Sequence, residues 1–209
     1  MKPAADSGIQ CQPDRGLMLD RRALIGAGVA LGAAAMVSPI LRGGTIEPSG
    51  PIHVIITNGR IAESRRFAAS LSANGAQVLD VQDGLTTIWL EHLTPLWRKS
   101  SGAAVGLTTR AVWDGLSQQA IGQFRKPRIL GTHEIAGNGL PIGHIVDVPA
   151  SSHAALMDGA MASAHWPERM AQAVNGCLAN QRREFKTCRL GSAADHQQAR
   201  ARLVSWMIV

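Results

Sequence analysis

Two short segments carry residues suited to binding an anion: Thr57-Asn58-Gly59-Arg60 and Thr108-Thr109-Arg110. Each joins hydroxyl or amide groups to an arginine, and each stands just before a stretch of helical pattern. The N–H groups that open a helix lack intrahelical partners and carry partial positive charge. A guanidinium can grip two oxygens at once. Together these groups suit a carboxylate or a phosphate. Ordinary capping accounts for the same Thr and Asn residues, so both readings stand at this level. No G-x-G-x-x-G or Walker pattern comes after residue 57, which argues against a tightly held nucleotide.

A second cluster is His133-Glu134, with His144 and His153 beyond it. A histidine beside a carboxylate is the material of a general base or a metal site. The spacings of 11 and 9 fit no ligand motif, so no metal site is expected, and solvated loop histidines are the plain alternative. Asp83 and Asp147 offer further carboxylates, or simple caps and turns. Gly-x-Ser-x-Gly is absent, as are C-x-x-C and C-x-x-C-H, so neither a serine-hydrolase elbow, thioredoxin chemistry nor c-type haem is indicated, and no cofactor is expected. His133 and Glu134 are the only catalytic candidates, and they name no reaction.

These segments need elements to position them. Ile52 to Thr57 is a β-branched run of the kind that forms a strand buried on both faces. Ala62 to Ala73 has Ser64, Phe67, Ala68 and Leu71 at helical spacing, and Asn74-Gly75 ends it. Gln77 to Val81 reads as the second strand, with Asp83 as the cap of the next helix. That helix carries a stripe of Leu85, Ile88, Trp89, Leu93, Leu96 and Trp97, kinked at Pro95. Ala103 to Leu107 is the third strand. A helix over 111–124 comes next, with Trp113, Leu116, Ala120 and Phe124 inward. Arg128 to Thr132 is the fourth strand.

Beyond it, Gly143 to Val148 reads as a fifth strand reached by the loop 137–143. Residues 153–164 and 168–180 read as helices, and Leu203 to Val209 as an added strand. The alternation predicts a three-layer α/β domain with a mostly parallel sheet of five or six strands, flavodoxin-like and Rossmann-like in outline. In the order 2-1-3-4 the loops after strands one and three face each other, where ligands bind in such sheets.

The 209-residue chain carries a formal net charge of +6, with its arginines scattered and no tyrosine. It offers no basic stripe interleaved with aromatics, so nucleic acid is not expected as a partner. Cys177 and Cys188 are the two cysteines of the expected domain. A continuous helix would hold them roughly 16 Å apart, so a disulfide between them requires a turn near 180–183. Two unpaired thiols are the alternative.

Arg21-Arg22 precede a soft apolar run rich in Gly and Ala, with Leu24 and Ile25 just inside it and Ala33-Ala34-Ala35 at its end. This segment resembles a twin-arginine (Tat) signal peptide, although Asp20, Leu24 and Gly26 depart from the usual pattern. The resemblance covers the first 40 residues. It implies the twin-arginine export machinery as partner, cleavage after Ala35 and a periplasmic location. Ala23 to Leu41 is also uncharged over 19 residues, so a retained inner-membrane anchor facing the periplasm is the alternative. The expected organisation is a signal over 1–35, a Gly- and Pro-rich linker over 36–50 and one domain over 51–209.

Two functions fit this sequence. One is an exported domain binding a small anion between Thr57–Arg60 and Thr108–Arg110. The other is an accessory protein or small subunit of an exported redox enzyme. It would meet its partner through the apolar tail 203–209 and the stripe bearing Trp89 and Trp97.

Overall fold

The computed structural model describes residues 51–73, 75–99, 102–157, 160–178, 185–191 and 199–209. Arg21, Arg22, the apolar run and the linker lie outside the described residues.

The first half keeps to the expected alternation. Strand β1 (Ile52–Thr57) leads to helix α1 (Ala62–Ser72), then strand β2 (Gln77–Asp80). A 3₁₀ turn (Val81–Asp83) enters α2 (Leu85–Thr87), which passes through a π-helical stretch (Ile88–Leu93) into α3 (Thr94–Lys99). The widened turns lie immediately before Pro95, which has no N–H to continue the helical ladder. Asp83 does not cap this helix: its N-cap is Gly84, with no side-chain bond. Strand β3 (Ala103–Thr109) and helix α4 (Arg110–Gly122) complete this half.

The second half departs from expectation. Strands β4 (Pro127–Ile135) and β5 (Pro141–Pro149) form an antiparallel hairpin across Ala136–Leu140, with Gly139 at φ +79°. Helices α5 (Ala150–Met157) and α6 (Trp166–Leu178) lead to β6 (Phe185–Gly191), and β7 (Ala201–Ile208) ends the chain. The sheet has seven strands in the order β2-β1-β3-β7-β4-β5-β6. Among the described residues β1–β2 and β1–β3 pair parallel, and the other four pairings are antiparallel.

The domain is therefore not the mostly parallel, flavodoxin-like sheet that the alternation implied. β7 lies antiparallel between β3 and β4 and separates two strands expected to be neighbours. Its composition explains the placement. Leu203 and Met207 enter one core layer, while Val204, Trp206 and Ile208 enter the other. A strand apolar on both sides belongs in the middle of a covered sheet.

One face packs Phe67, Ala68 and Leu71 of α1 and Met170, Val174 and Cys177 of α6 against Val105, Ile129 and Val146. The other packs Ile88, Leu93 and Trp97 with Trp113 and Leu116 of α4 against Val54, Ile56 and Trp206. We call these the α1 face and the α4 face. A bidentate pair, Arg66 with Glu168 at 2.7 Å for both bonds, ties α1 to α6. It holds the Glu168 carboxyl below its ordinary value.

Candidate functional site

The carboxyl ends of β1 and β3 lie side by side, with Ile56 opposite Gly106. The chain leaves β1 onto the α1 face and leaves β3 onto the α4 face, which makes this the switch point of the sheet. Gly106 lets the strands close over Trp206: a Cβ there would stand 2.5 Å from Trp206 Cζ2 and 2.9 Å from the Ile56 carbonyl oxygen. Ser64 Oγ donates to the Leu107 carbonyl at 2.5 Å and fastens the first turn of α1 to the end of β3. Neither helix has a side-chain cap. Ile61 occupies the N-cap of α1, and Thr109 that of α4 without bonding the helix.

The seven residues expected to bind an anion divide into two sets. Thr57 and Thr108 are inward and already engaged. Thr57 Oγ1 lies 3.1 Å from Ser64 Oγ on the α1 face. Thr108 is fully buried on the α4 face and accepts from Trp206 Nε1 at 3.1 Å. The pleat sends these two hydroxyls to opposite sides of the sheet, so they do not share a pocket.

The rest form the rim. Asn58 Oδ1 accepts from Arg60 N at 3.1 Å, and Gly59 N donates to Asp80 Oδ2 at 2.9 Å. Arg65 donates to the Gly59 carbonyl. Asp80 thus supplies the α1 side with an internal anion, and a Cβ at Gly59 would stand 2.1 Å from its Oδ2 and would displace that carboxylate. Arg60, before the opening of α1, and Arg110, at the opening of α4, are exposed, and Thr109 is partly so. Arg110 Nε pairs with Asp114 at 2.7 Å, both side chains open to solvent. Arg202 stands one residue past the Thr109–Leu203 pairing and so belongs to the same rim. Sequence reasoning missed Arg202 because only the insertion of β7 brings it here.

His133 and Glu134 are parted in the same way. Glu134 is nearly buried on the α4 face and pairs with Arg202 at 2.5 Å. His133 turns to the α1 face and is fully buried. Its Nδ1 lies 2.7 Å from His144 Nδ1, and its Nε2 lies 2.7 Å from Ser205 Oγ. His144 Nε2 lies 2.8 Å from the Met161 carbonyl oxygen.

That carbonyl can only accept, and so it sets the tautomers. His144 donates from Nε2 and accepts at Nδ1. His133 donates from Nδ1 and accepts at Nε2, and Ser205 donates. Burial holds both rings neutral: His144 falls to about 4, and His133 well below its ordinary value, with the neighbouring ring adding to the effect. Trp166 stacks on His133 with centroids 4.6 Å apart. A serine donating to a histidine resembles a nucleophile with its base. Ser205 and His133, however, are both at 0% exposure, so the relay is a core network fastening β4, β5 and β7.

The other candidates lie apart from the rim. His153 is on α5. Asp147 is exposed on β5 and accepts from Thr187 Oγ1 at 2.6 Å. Cys177 and Cys188 are buried in one core layer and are not joined by a disulfide. Burial raises Cys177, while Ser152, 3.2 Å from its sulfur, works against that shift. The apolar tail is the central strand β7, buried in the sheet, and in the stripe Trp97 is buried in the α4-face core while Trp89 beside it is partly exposed.

Among the described residues no cluster of three or more His, Cys, Asp or Glu side chains is placed to hold a metal, and no helix is long and apolar enough to cross a membrane. No family model, curated protein or solved structure matches this chain, so its functional reading rests on its own geometry.

Proposed function

We propose that this is an exported, periplasmic domain that binds a small anion at the carboxyl ends of β1 and β3. One observation carries the reading: α1 and α4 both open without a side-chain cap at adjacent strand ends, on opposite faces of a switch point. Arg110 and Arg202 belong to the α4 half of that rim, and α4 has no acidic residue in its first turn. A carboxylate or phosphate there meets the first N–H groups of α4, the Arg110 guanidinium and, across the strands, Arg60. The surface pair with Asp114 leaves Arg110 further donors to offer. Thr57 and Thr108 position the loops and do not touch the ligand.

The test is thermal unfolding of the full chain with inorganic phosphate, sulfate and short carboxylates at constant ionic strength. At least one anion raises the melting temperature, and Arg60→Ala with Arg110→Ala removes the increment while the unliganded melting temperature stays put. If no anion stabilises the protein, the reading is wrong. Export rests on the Arg21-Arg22 pair. Replacing both with lysine keeps the chain in the cytosol in a fractionation assay, and unaltered export of that variant would refute the targeting assignment.

A further inference from the structure

Two of the chain's three phenylalanines stand in solvent at the end of the sheet opposite the rim: Phe124 is 92% exposed and Phe185 43%, whereas Phe67 is buried. Phe124 lies two residues past α4 at φ +58°, a left-handed turn that glycine usually supplies at a helix end and that strains a bulky residue. The turn serves the helix, since Arg125 N donates to the Ala120 carbonyl at 2.9 Å, but it needs no aromatic ring. Ile121, one turn earlier, is 68% exposed. Strand pairing defines this end. Ile52 lies opposite Ala103, Ala104 opposite Ile208, and Ile208 opposite Pro127. Lys126 and Val209 exchange both backbone bonds, and Phe185 opposite Pro149 brings β6 to the same level. Lys126 and Lys186 are exposed there. The bond of Arg125 to the Trp97 carbonyl brings exposed Lys99, at the close of α3, to the same end. The described residues of 51–54, 97–99, 120–129, 148–152, 185–188 and 206–209 include no aspartate or glutamate.

We propose that this end of the domain docks on the surface of a bilayer containing anionic phospholipid. Phe124, Ile121 and Phe185 enter the headgroup boundary, and Lys99, Lys126 and Lys186 lie over the lipid phosphates. Two observations favour lipid over a second copy of the chain. An anionic surface complements three lysines that have no aspartate or glutamate beside them, whereas two copies meeting here would oppose like charges. The chain also enters the domain at this end: Pro51 follows the uncharged run Ala23–Leu41 by ten residues, a reach of at most about 36 Å. With that run in a bilayer during export, this is the end held beside the headgroups. The proposal draws on the export reading and not on the anion site, which lies at the other end of the sheet.

The experiment adds the full chain to vesicles of phosphatidylcholine alone, or of phosphatidylcholine mixed with phosphatidylglycerol. Sedimentation reads binding, and hydrogen exchange over 121–126 reads whether this end is covered. The wild type prefers the mixed vesicles, and they slow exchange over 121–126. Phe124→Gly relieves the turn, so its lipid-free melting temperature does not fall, yet the contribution of this end to binding drops about tenfold or more. Lys99→Glu with Lys126→Glu removes the preference for mixed vesicles, a loss of about tenfold or more, and leaves binding to phosphatidylcholine alone unchanged. All variants keep Ala23–Leu41, so differences among them belong to this end. Where that run alone holds the chain on the vesicles, exchange still decides: mixed vesicles slow it in the wild type and not in the variants. Exchange over 121–126 that mixed vesicles leave unchanged, or slow equally in wild type and both variants, overturns the proposal. Slowing without lipid that grows with protein concentration also overturns it and makes a second copy the occupant. Neither result bears on the anion titration or on the export assay, which stand or fall by themselves.

Discussion

Lowering the pH should unfold this protein earlier than its carboxylates alone would dictate, because two neutral histidines are locked in its core. His144 and His133 both have folded pKa values below the unfolded value near 6.5, the first at about 4 and the second lower in direction. The unfolded chain therefore takes up protons that the native chain refuses. The stabilisation is whole above pH 6.5 and is lost as the pH falls from there toward 4.

Each histidine contributes a slope of about 1.4 kcal/mol per pH unit in that window. Between pH 7 and pH 5 the pair then costs about 4 kcal/mol, against a total stability of about 5–15 kcal/mol for an ordinary domain. Protonating either ring also removes the acceptor that the other ring or Ser205 uses, so the network fails as a unit. Urea unfolding monitored by tryptophan fluorescence is a direct assay, since Trp166 stacks on His133. With a urea slope of about 2 kcal/mol/M, the midpoint drops by about 2 M between pH 7 and pH 5. The variant His133→Leu, His144→Leu, Ser205→Ala flattens that dependence. A wild-type midpoint that moves by less than a quarter of this amount, or a variant with the same slope, would refute the assignment of neutral, buried rings.

Three single substitutions probe the close contacts at the rim. Gly106→Ala drives a methyl group into Trp206 and the Ile56 carbonyl and costs about 1–3 kcal/mol in urea unfolding; an unchanged midpoint would show that the strands are not so closely packed. Thr108→Val leaves Trp206 Nε1 buried without its acceptor and destabilises by about 1–3 kcal/mol, yet leaves anion affinity alone. Lost affinity at unchanged stability would return Thr108 to the ligand. Gly59→Ala displaces the Asp80 carboxylate from the Gly59 N–H, so the exchange protection of that amide falls; retained protection would contradict the close approach.

The β1-α1-β2-α3-β3-α4 half was legible because each element announces itself locally. A β-branched run makes β1, a helical stripe makes α1, Gly75 ends that helix, and Pro95 marks the irregular stretch ahead of α3. The other half turns on contacts distant in sequence. β6, the edge strand, buries only Cys188 and exposes Lys186 and Arg189, so it gives no apolar run to find. β7 was readable as a strand, but its seat between β3 and β4 is set by pairing across a hundred residues, which no window contains.

The hairpin does carry a local signal. Asn138-Gly139 is strong turn chemistry, and β4 and β5 flank it symmetrically, which places His133 opposite His144. At the rim, the adjacency of β1 and β3 is implicit in the alternation of elements. The division of Thr57 from Thr108 is not. It depends on register: continuing the ladder past Ile56–Gly106 aligns Thr57 with Leu107, not Thr108, and a one-residue shift reverses the face.

Whether the opening of α4, beside the end of β1, is an anion site can be read amide by amide. Backbone NMR during a phosphate or carboxylate titration at fixed ionic strength reports on those N–H groups themselves. An anion seated there gives saturable shifts concentrated at Asn58–Arg60 and Arg110–Val112, lost in the Arg110→Ala variant. Shifts scattered over the surface arginines without saturation, or none at these amides, would contradict the site.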